Sequence, residues 1–400
     1  MKISYFVHDI GHPDLVRRFE MLRQGGADAR IFGFRRARPV DNDLAGSVVD
    51  LGRTIDGQFA QRTWAVAKTI PRLRQWANEL TLSDVVLARN LEMLVLAATA
   101  RSLYAPGSPL VYECLDVHRL MLSNHLVGAG LRRVERMLLA SSQGLMVSSP
   151  AFIREYFERN ASVLPKTLLV ENKVFPDPGL DQETPPLAPG PPWRIGWFGV
   201  LRCRRSLEML SRLVRSLPGT IEVVVAGLPA SNVFPDASKS FGGIPGLVFH
   251  GPFKDEAELS RLFRSVHFAW AIDYYEAGGN SRWLLPNRLY RAALYQSVPL
   301  ALANVETGRW LADHRTGVLL GEPVEEQLIA TMRDMTPQSF SSARAAVARI
   351  PRSSLITEAQ ECRDLVAALG ELRPLVDGPD SRKSRSRTEA ANANPRSPRT

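Results

Sequence analysis

The chain has 400 residues, which is enough for two to three domains. Its formal net charge of +9 allows nucleic acid, an anionic membrane surface or phosphorylated ligands as partners and does not choose among them. The three cysteines are far apart and form no C-x-x-C pair, which argues against a zinc site and a disulfide framework. Since no apolar run approaches the roughly 18–20 residues that cross a bilayer, and the N-terminus lacks a signal-peptide core, we expect a cytoplasmic protein, soluble or peripheral to a membrane.

Short apolar runs alternate with helical patterns along the first half of the chain. The predicted strands are residues 3–7, 29–34, 84–88, 110–113, 144–147 and 168–170. The predicted helices include residues 14–24, 91–103 and 131–141. This alternation is typical of a mostly parallel sheet that helices cover on both faces.

A proline-rich segment, 176–192, separates the two halves. It holds seven prolines in seventeen residues, which predicts an extended, semi-rigid linker. The alternation then restarts, with predicted strands at residues 194–198, 222–226, 247–250, 267–272, 298–302 and 317–320 and helices at 206–216, 256–264 and 286–296. A last amphipathic helix is predicted at 353–372, and the polar tail after it is predicted to be disordered.

These elements predict an α/β protein of two doubly wound, Rossmann-like domains that face each other across a cleft. We place the first domain at 1–175, the linker at 176–192, the second domain at 193–350, a C-terminal helix that could pack back on the first domain at 351–372, and a disordered basic tail at 373–400. In such sheets ligands bind beyond the carboxyl ends of the strands. Candidate residues should therefore lie just after strands.

Residues 199–205, GVLRCRR, follow the first strand of the second domain. Gly199 would let the backbone approach a ligand closely. Arg202, Arg204 and Arg205 could clamp phosphate oxygens. The alternative is a solvated basic turn that opens a surface helix.

Residues 268–303 combine a strand, a loop with an acid and two glycines, and a helix that starts with proline. The carboxylate could accept sugar hydroxyls, and the glycines keep the loop open. At the helix start, unpaired N–H groups and the helix dipole suit an anionic ligand. A plain surface turn is the alternative. Glu276 is a candidate catalytic residue, and the candidate ligand-binding residues here are Gly278, Gly279, Asn280, Asn287 and Arg288.

Two segments of the first domain also follow strands. Asp116 and His118 form one, where a histidine near a carboxylate could act as an acid, a base or a hydrogen-bonding group. His8, Asp9 and Gly11 form the other and would line the cleft from the first domain, where a second substrate, the acceptor, could bind. A structural role is the alternative for each segment. The two histidines near the N-terminus could suggest metal, but the later half offers no matching ligand cluster.

Two further patterns have competing interpretations. Asp41 and Asp43 resemble a metal-holding Asp-x-Asp, but they follow a basic loop with no strand directly before it, so we predict no metal site. Segment 58–80 interleaves aromatic with basic residues, which suits an anionic membrane surface. Helix packing with a solvated basic face explains that segment equally well.

In these features the chain resembles the GT-B glycosyltransferases, specifically the glycosyltransferase family 4 type of bacterial exopolysaccharide assembly, with proteins of the succinoglycan type nearest. The resemblance covers most of residues 1–370 and rests on the order and spacing of several segments. They are ISYFVHDIGHPDLVRRFEML, LRRVERMLLASSQGLMVSSPAF, VENKVF, IGWFGVLRCRRSLEML and PNRLYRAALYQSVPLALANVETGRWL.

The resemblance implies retaining, metal-independent transfer of a hexose, glucose favoured, from a nucleotide diphosphate sugar, UDP-sugar favoured, without a cofactor. Glu276 would hold the donor sugar and His118 would touch it from the other domain. Arg205, with Arg202, would stabilise the leaving diphosphate. The acceptor, a glycan or a polyprenyl-linked oligosaccharide, would bind the first domain at the cytoplasmic face of the inner membrane, with segment 58–80 near it.

One position departs from the family pattern. Arg291 stands where a second glutamate, for the ribose, is expected, which leaves ribose recognition to another group such as Asn287. Two other functions fit the same fold: a nucleotide-sugar 2-epimerase, and a non-catalytic assembly subunit that binds sugar nucleotides. Nucleic-acid binding is least favoured because the basic excess is spread out and lies partly in the tail.

Overall fold

The computed structural model describes residues 1–36, 39–55, 58–175 and 187–373, so most of the predicted linker and nearly all of the predicted tail lie outside the described residues. Two β-sheets organise the molecule. The first sheet contains β1 (Lys2–Val7), β2 (Asp28–Arg35), β3 (Val48–Arg53), β4 (Val85–Arg89), β5 (Leu110–Cys114), β6 (Gly144–Val147) and β7 (Lys166–Leu169). Its strands are parallel in the order β3-β2-β1-β4-β5-β6-β7.

The second sheet is also parallel throughout. It contains β8 (Trp193–Leu201), β9 (Ile221–Pro229), β10 (Leu247–Phe249), β11 (Phe268–Trp270), β12 (Val298–Leu302) and β13 (Val318–Leu320). Its order is β10-β9-β8-β11-β12-β13. The predicted α/β class with two doubly wound sheets is therefore confirmed.

Helices connect the strands in both halves. In the first half they are α1 (Pro13–Gln24), α2 (Phe59–Thr69), α3 (Ala77–Leu80), α4 (Leu91–Tyr104), α5 (Leu126–Ala140), α6 (Pro150–Phe152) and α7 (Glu158–Asn160). In the second half they are α8 (Arg204–Ser216), α9 (Ala237–Phe241), α10 (Glu256–Arg264), α11 (Asn280–Trp283), α12 (Asn287–Leu294), α13 (Glu306–Asp313), α14 (Val324–Arg333), α15 (Pro337–Ala348) and α16 (Ala359–Gly370). None of the helices in the described ranges is long and apolar enough to cross a bilayer.

Side-chain alternation along the central strand β1 divides the first sheet into two buried faces. Phe6 points to the face that α2, α4 and α5 cover, and Tyr5 points to the face that α1 and α16 cover. Strands β4, β5 and β6 are buried at every position, so both faces need a covering layer. This requirement explains why the sequences of these strands are nearly continuous apolar runs.

Helix α16, from the end of the described chain, packs on the first sheet rather than on the second. Leu365 and Leu369 join the apolar cluster of α1, and a Cβ added to Gly25 would collide with the Cys362 carbonyl oxygen. The predicted helix at 353–372 was wrong at its start, since α16 begins at Ala359. The residues just before it are extended because Ile356 forms a parallel bridge with Val174.

Other element boundaries also differ from the predictions. Strand β3 was not predicted. Strand β8 runs on to Leu201, because β9 pairs with it as far as Pro229. Helix α5 begins at Leu126, five residues before its predicted start. Its first turn exposes apolar side chains, so the apolar residues there do not follow the pattern of a helix that buries one face.

Candidate functional site

The carboxyl ends of the two sheets face each other, and contacts at several places join them, two of which border the cleft. The loop after β5 meets α11, where Val117 exchanges two backbone hydrogen bonds with the side-chain amide of Asn280, at 2.9 and 2.8 Å. The start of α1 meets the start of α12, where the Asn287 amide lies 3.3 Å from Asp14 and 3.4 Å from Arg17. Because ligands bind beyond strand ends in such sheets, the space between these contacts is the candidate cleft.

Two arginines surround one carboxylate at the ends of β8 and β11. Arg202 Nη2 lies 3.1 Å from Asp273 Oδ2, and the Asp273 side chain is 5% exposed, whereas that of Arg202 is 38% exposed. Burial opposes ionisation of Asp273, but the charges of Arg288 and Arg202 hold its pKa below the ordinary value. Arg288 Nη1 is buried and has no hydrogen-bond partner among the described residues. The cluster therefore has a net charge of +1 and a spare donor, which suits an anion.

The other candidates in 199–205 lie in three different settings. Gly199 is inside β8 rather than in the loop, with a φ of 114° that favours glycine, and a Cβ added there would meet no atom within 4 Å. The Arg205 guanidinium lies 4.1 Å from the ring centre of Tyr274, next to Asp273. Arg204 instead donates to the Val233 carbonyl oxygen at 2.7 Å, in the loop after β9. The structure thus brings Arg202 and Arg205 to the loop after β11, and not Arg204.

Glu276 lies in that same loop and is held from two sides. Asn280 Nδ2 donates to Glu276 Oε2 at 2.5 Å, and Arg119 Nε of the first domain is 3.5 Å from Glu276 Oε1. The Glu276 side chain is 20% exposed, so it keeps contact with the cleft.

Asn280, Gly279 and Asn287 were predicted to bind the donor, but the structure uses each of them to join the two domains. Asn280 is 5% exposed, and both of its amide atoms are engaged by Val117 and Glu276. A Cβ added to Gly279 would lie 2.5 Å from Leu122 Cδ1, so the first domain packs closely there. These residues position their neighbours, and no free polar group of the Asn280 amide is left for a ligand.

Asp116 and His118 lie in the same part of the cleft as Glu276. Loss of hydration raises the pKa of Asp116 to about 6, and the charge of Glu276 adds to the rise. Loss of hydration, and then the charge of Arg62, lower the pKa of His118. Val117, which lies between Asp116 and His118 in the chain, is hydrogen-bonded to Asn280, and Arg119 Nε is 3.5 Å from Glu276 Oε1, so the structure brings these three predicted residues to the same part of the cleft.

The N-terminal candidates form a separate group. Asp9 is buried and accepts a hydrogen bond from the Gly11 N–H at 3.0 Å, so this pair shapes its own turn. His8 Nδ1 lies 3.2 Å from Asn90 Nδ2. Burial, followed by the charge of Arg36, lowers the pKa of His8 well below its ordinary value, so its imidazole is neutral at neutral pH.

Two residues of the cleft were not predicted. Asp273 directly follows the predicted strand 267–272, and Asn90 directly follows β4, so strand-end position was the signal for both. The backbone of Asn90 has φ 69° and ψ 163°. Residues other than glycine rarely adopt this conformation, and strained residues of this kind are often found at ligand sites. Its Oδ1 is buried without a partner among the residues that the structure describes.

Arg291 is bound on its own side of the cleft. Its Nε and Nη2 atoms lie 2.7 and 2.8 Å from the two carboxylate oxygens of Glu256, in a bidentate pair. Arg291 therefore pairs with α10 within the second domain. Within the described ranges, no three His, Cys, Asp or Glu side chains come together as metal ligands would.

An open cavity of about 360 Å³ lies between the domains beside the Glu276 loop. Gly278 and Arg282 line it from the second domain, and Arg154 lines it from the first. Arg154 Nη2 bridges the domains through Glu306 Oε2 at 2.7 Å. Room for a ligand group therefore exists next to Gly278.

The chain is similar to one curated protein along most of its length. It is 38% identical over 383 residues to the succinoglycan biosynthesis protein ExoL of Rhizobium meliloti strain 1021, covering 93% of this chain and 94% of that protein. No protein-family model matches the chain.

Solved structures share the fold at much lower identity. HepE of Anabaena in complex with UDP-glucose has a TM-score of 0.65 and 16% identity, covering 92% of this chain and 98% of that one. WaaG, a glycosyltransferase involved in lipopolysaccharide biosynthesis, has a TM-score of 0.56 and 15% identity, covering 92% and 97%. The chain belongs to the family of the succinoglycan biosynthesis protein ExoL and has the GT-B fold of glycosyltransferases.

Proposed function

We propose that the protein is a retaining glycosyltransferase that moves a hexose, glucose favoured, from a UDP-sugar to a glycan or polyprenyl-linked oligosaccharide during exopolysaccharide assembly. The name of the ExoL relative supports the biosynthetic setting. The HepE structures with UDP and with UDP-glucose support the donor class. The proposal includes no metal and no cofactor.

The observation that carries the proposal is the cluster of Arg202, Asp273 and Arg288. It has a net charge of +1, a buried unpaired guanidinium N–H at Arg288, and a partly exposed arginine at the end of β8. Arg288 belongs to the first turn of α12, whose dipole adds to the attraction for an anion. A diphosphate fits this combination better than a neutral ligand does.

The transfer breaks the bond between the anomeric carbon and the diphosphate oxygen, and the electron pair leaves with UDP. The acceptor hydroxyl oxygen bonds to the same face of that carbon, and its proton passes to an oxygen of the leaving diphosphate. Arg202, Arg205 and Arg288 would stabilise the charge that develops there. Glu276 would accept sugar hydroxyls, with Asn280 as its positioning residue, and His118 would contact the sugar from the first domain.

The acceptor would enter over the first domain, past Asp116 and His8, at the cytoplasmic face of the inner membrane. Segment 58–80 supports a membrane contact there, because Trp64 is exposed and Lys68 Nζ lies 5.2 Å from the centre of its ring. An exposed tryptophan beside a cation is suited to the headgroup region of an anionic bilayer.

The test compares Arg202→Met and Arg288→Met with the matched control Arg204→Met. Affinity for UDP-glucose, measured by calorimetry, should fall about ten- to a hundredfold in the first two variants, as for a lost charge-assisted hydrogen bond, and stay unchanged in the control. Glu276→Gln should bind UDP but lose roughly a hundredfold in transfer of labelled glucose into a lipid extract. Wild-type transfer by Arg202→Met and Glu276→Gln would overturn the site.

The same assay separates the two other functions. Conversion of a labelled UDP-sugar to its 2-epimer without an acceptor would identify an epimerase, for which Asp116, His118 and Glu276 supply grouped acid and base groups. UDP-glucose binding without turnover, with lipid extract present, would identify an assembly subunit.

A further inference from the structure

Helix α5 exposes four large apolar side chains along one side, on the outside of the first domain. Leu126, Val127, Val134 and Met137 are 92%, 58%, 38% and 64% exposed, and we call these four residues the α5 apolar face. No other helix in the described ranges exposes more than one large apolar side chain. Contiguous exposed apolar surface of this kind marks a contact with something outside the folded chain.

The orientation of α5 is fixed by what lies beneath it. Glu135, on the opposite side of the helix, is buried and accepts hydrogen bonds from Tyr112 at 3.0 Å and Tyr156 at 2.6 Å. Leu139 packs in the core below. Because these contacts hold one side of the helix inward, the helix cannot rotate to bury its apolar face within its own domain.

The exposed charges on α5 are all positive. Arg133 and Arg136 are exposed and lie along one edge of the apolar face, whereas Glu135, the only acidic residue of the helix, is buried. An apolar stripe edged by arginines is the arrangement of helices that lie in the interface of an anionic bilayer. A protein partner of mixed surface charge would not require an acid-free face.

The position of α5 connects this face to the cleft. The helix begins four residues after Leu122, which packs against Gly279 beside Glu276. Helices α2 and α5 cover the same face of the first sheet, and α4 contacts both. A surface that holds α5 therefore lies near the cleft entrance, on the side of the first sheet that also carries α2 with its exposed Trp64.

We infer that the α5 apolar face docks the protein on an anionic phospholipid surface and so brings the cleft entrance to the headgroups. The inference rests on the proposed function only in assigning the docking a purpose, the delivery of a lipid-linked acceptor. Lipid binding itself is independent of any donor or acceptor.

Flotation of the full chain with vesicles tests the docking. Wild type should bind vesicles of phosphatidylcholine and phosphatidylglycerol at 3:1 and bind pure phosphatidylcholine vesicles far more weakly. The double variant Leu126→Asp, Met137→Asp should lose at least about tenfold in partitioning. Arg133→Glu with Arg136→Glu should lose roughly fivefold per arginine.

Matched controls place the same changes elsewhere. Val163→Asp alters an exposed apolar residue of the first domain outside α5, and Arg215→Glu alters an exposed arginine of the second domain; both should bind like wild type. Calorimetry with UDP-glucose on every variant separates loss of docking from loss of the donor site or of the fold.

The vesicle and calorimetry results together decide whether the α5 apolar face binds lipid. Reduced vesicle binding with unchanged UDP-glucose affinity supports the docking face, even if no transfer is ever found. Wild-type vesicle binding by the Leu126→Asp, Met137→Asp variant overturns it. Dimeric wild type that becomes monomeric in this variant, without a change in vesicle binding, also overturns it and assigns the face to a second copy of the chain.

Discussion

Each half of the molecule holds one carboxylate between two arginines, but the two clusters are built for different ends. In the first domain, Glu113 accepts from Arg18 at 2.7 Å and from Arg89 at 2.8 Å, and all three side chains are almost fully buried. In the second domain, Asp273 pairs with Arg202, which is 38% exposed. The charges are alike, so access to the cleft is what makes only the second cluster a candidate for binding an anion.

The arginines of the first cluster also shift the pKa of the carboxyl that they surround. Burial opposes ionisation of Glu113, but Arg89 and Arg18 lower its pKa to about 2. Its contribution to stability is therefore complete above about pH 4.5 and is lost as the pH falls from there toward 2. The buried Glu113 cluster therefore stabilises the fold above that range, whereas the partly exposed Arg202 of the second cluster is accessible to a ligand.

The largest expected difference comes from the same replacement in both clusters. Arg18→Met should lower the free energy of unfolding by about 3–5 kcal/mol, because it removes one partner from a buried carboxylate. Arg202→Met should lower it by less, about 1 kcal/mol, since Arg202 is partly exposed and water can take its place beside Asp273. Urea denaturation at pH 7 measures both; equal losses would erase the distinction between a structural and a ligand-binding cluster.

A second buried carboxyl in the first domain sharpens the comparison, because it has tyrosines instead of arginines as partners. Burial raises the pKa of Glu135 to about 7. Its folded-state pKa lies above the unfolded value, so its stabilising contribution is present at low pH and is lost as the pH rises from about 4.5 to 7, by about 3 kcal/mol. In Glu135→Gln this decline should disappear from urea denaturation series between pH 5 and 8.

The control for that series is Glu371→Gln, which changes an exposed glutamate paired with Lys166. It should keep the wild-type pH profile. A Glu135→Gln profile that still declines from pH 5 to 7 would contradict the assignment to Glu135.

The smallest expected effect concerns the cleft itself. Asp116, with a pKa of about 6, acquires its charge as the pH rises past that value, and the charge lies near Arg202. UDP-glucose affinity should therefore fall about two- to threefold from pH 5 to pH 7.5, and Asp116→Asn should flatten the profile. A profile that stays as steep in Asp116→Asn would place the titrating group elsewhere.

The sequence by itself determined the architecture. Alternating apolar runs and helical patterns predict two parallel sheets because strands buried on both faces must be apolar, and that requirement is local. The same rule placed Arg202, Glu276 and His118 at strand ends, and the structure gathers residues from all three strand-end loops at one cleft. Asn90 follows β4 directly and Asp273 lies shortly after β11, so the same rule could have predicted both residues.

Only the tertiary structure decided which of these side chains stay available. Asn280 and Asn287 have the residue types and positions of ligand-binding groups, yet partners more than 150 positions away in the chain, Val117 and Asp14, occupy them. The exposed side of α5 follows from the buried hydrogen bonds of Glu135 and not from its own pattern. Contacts between distant segments arise when two domains pack, and no local periodicity records them.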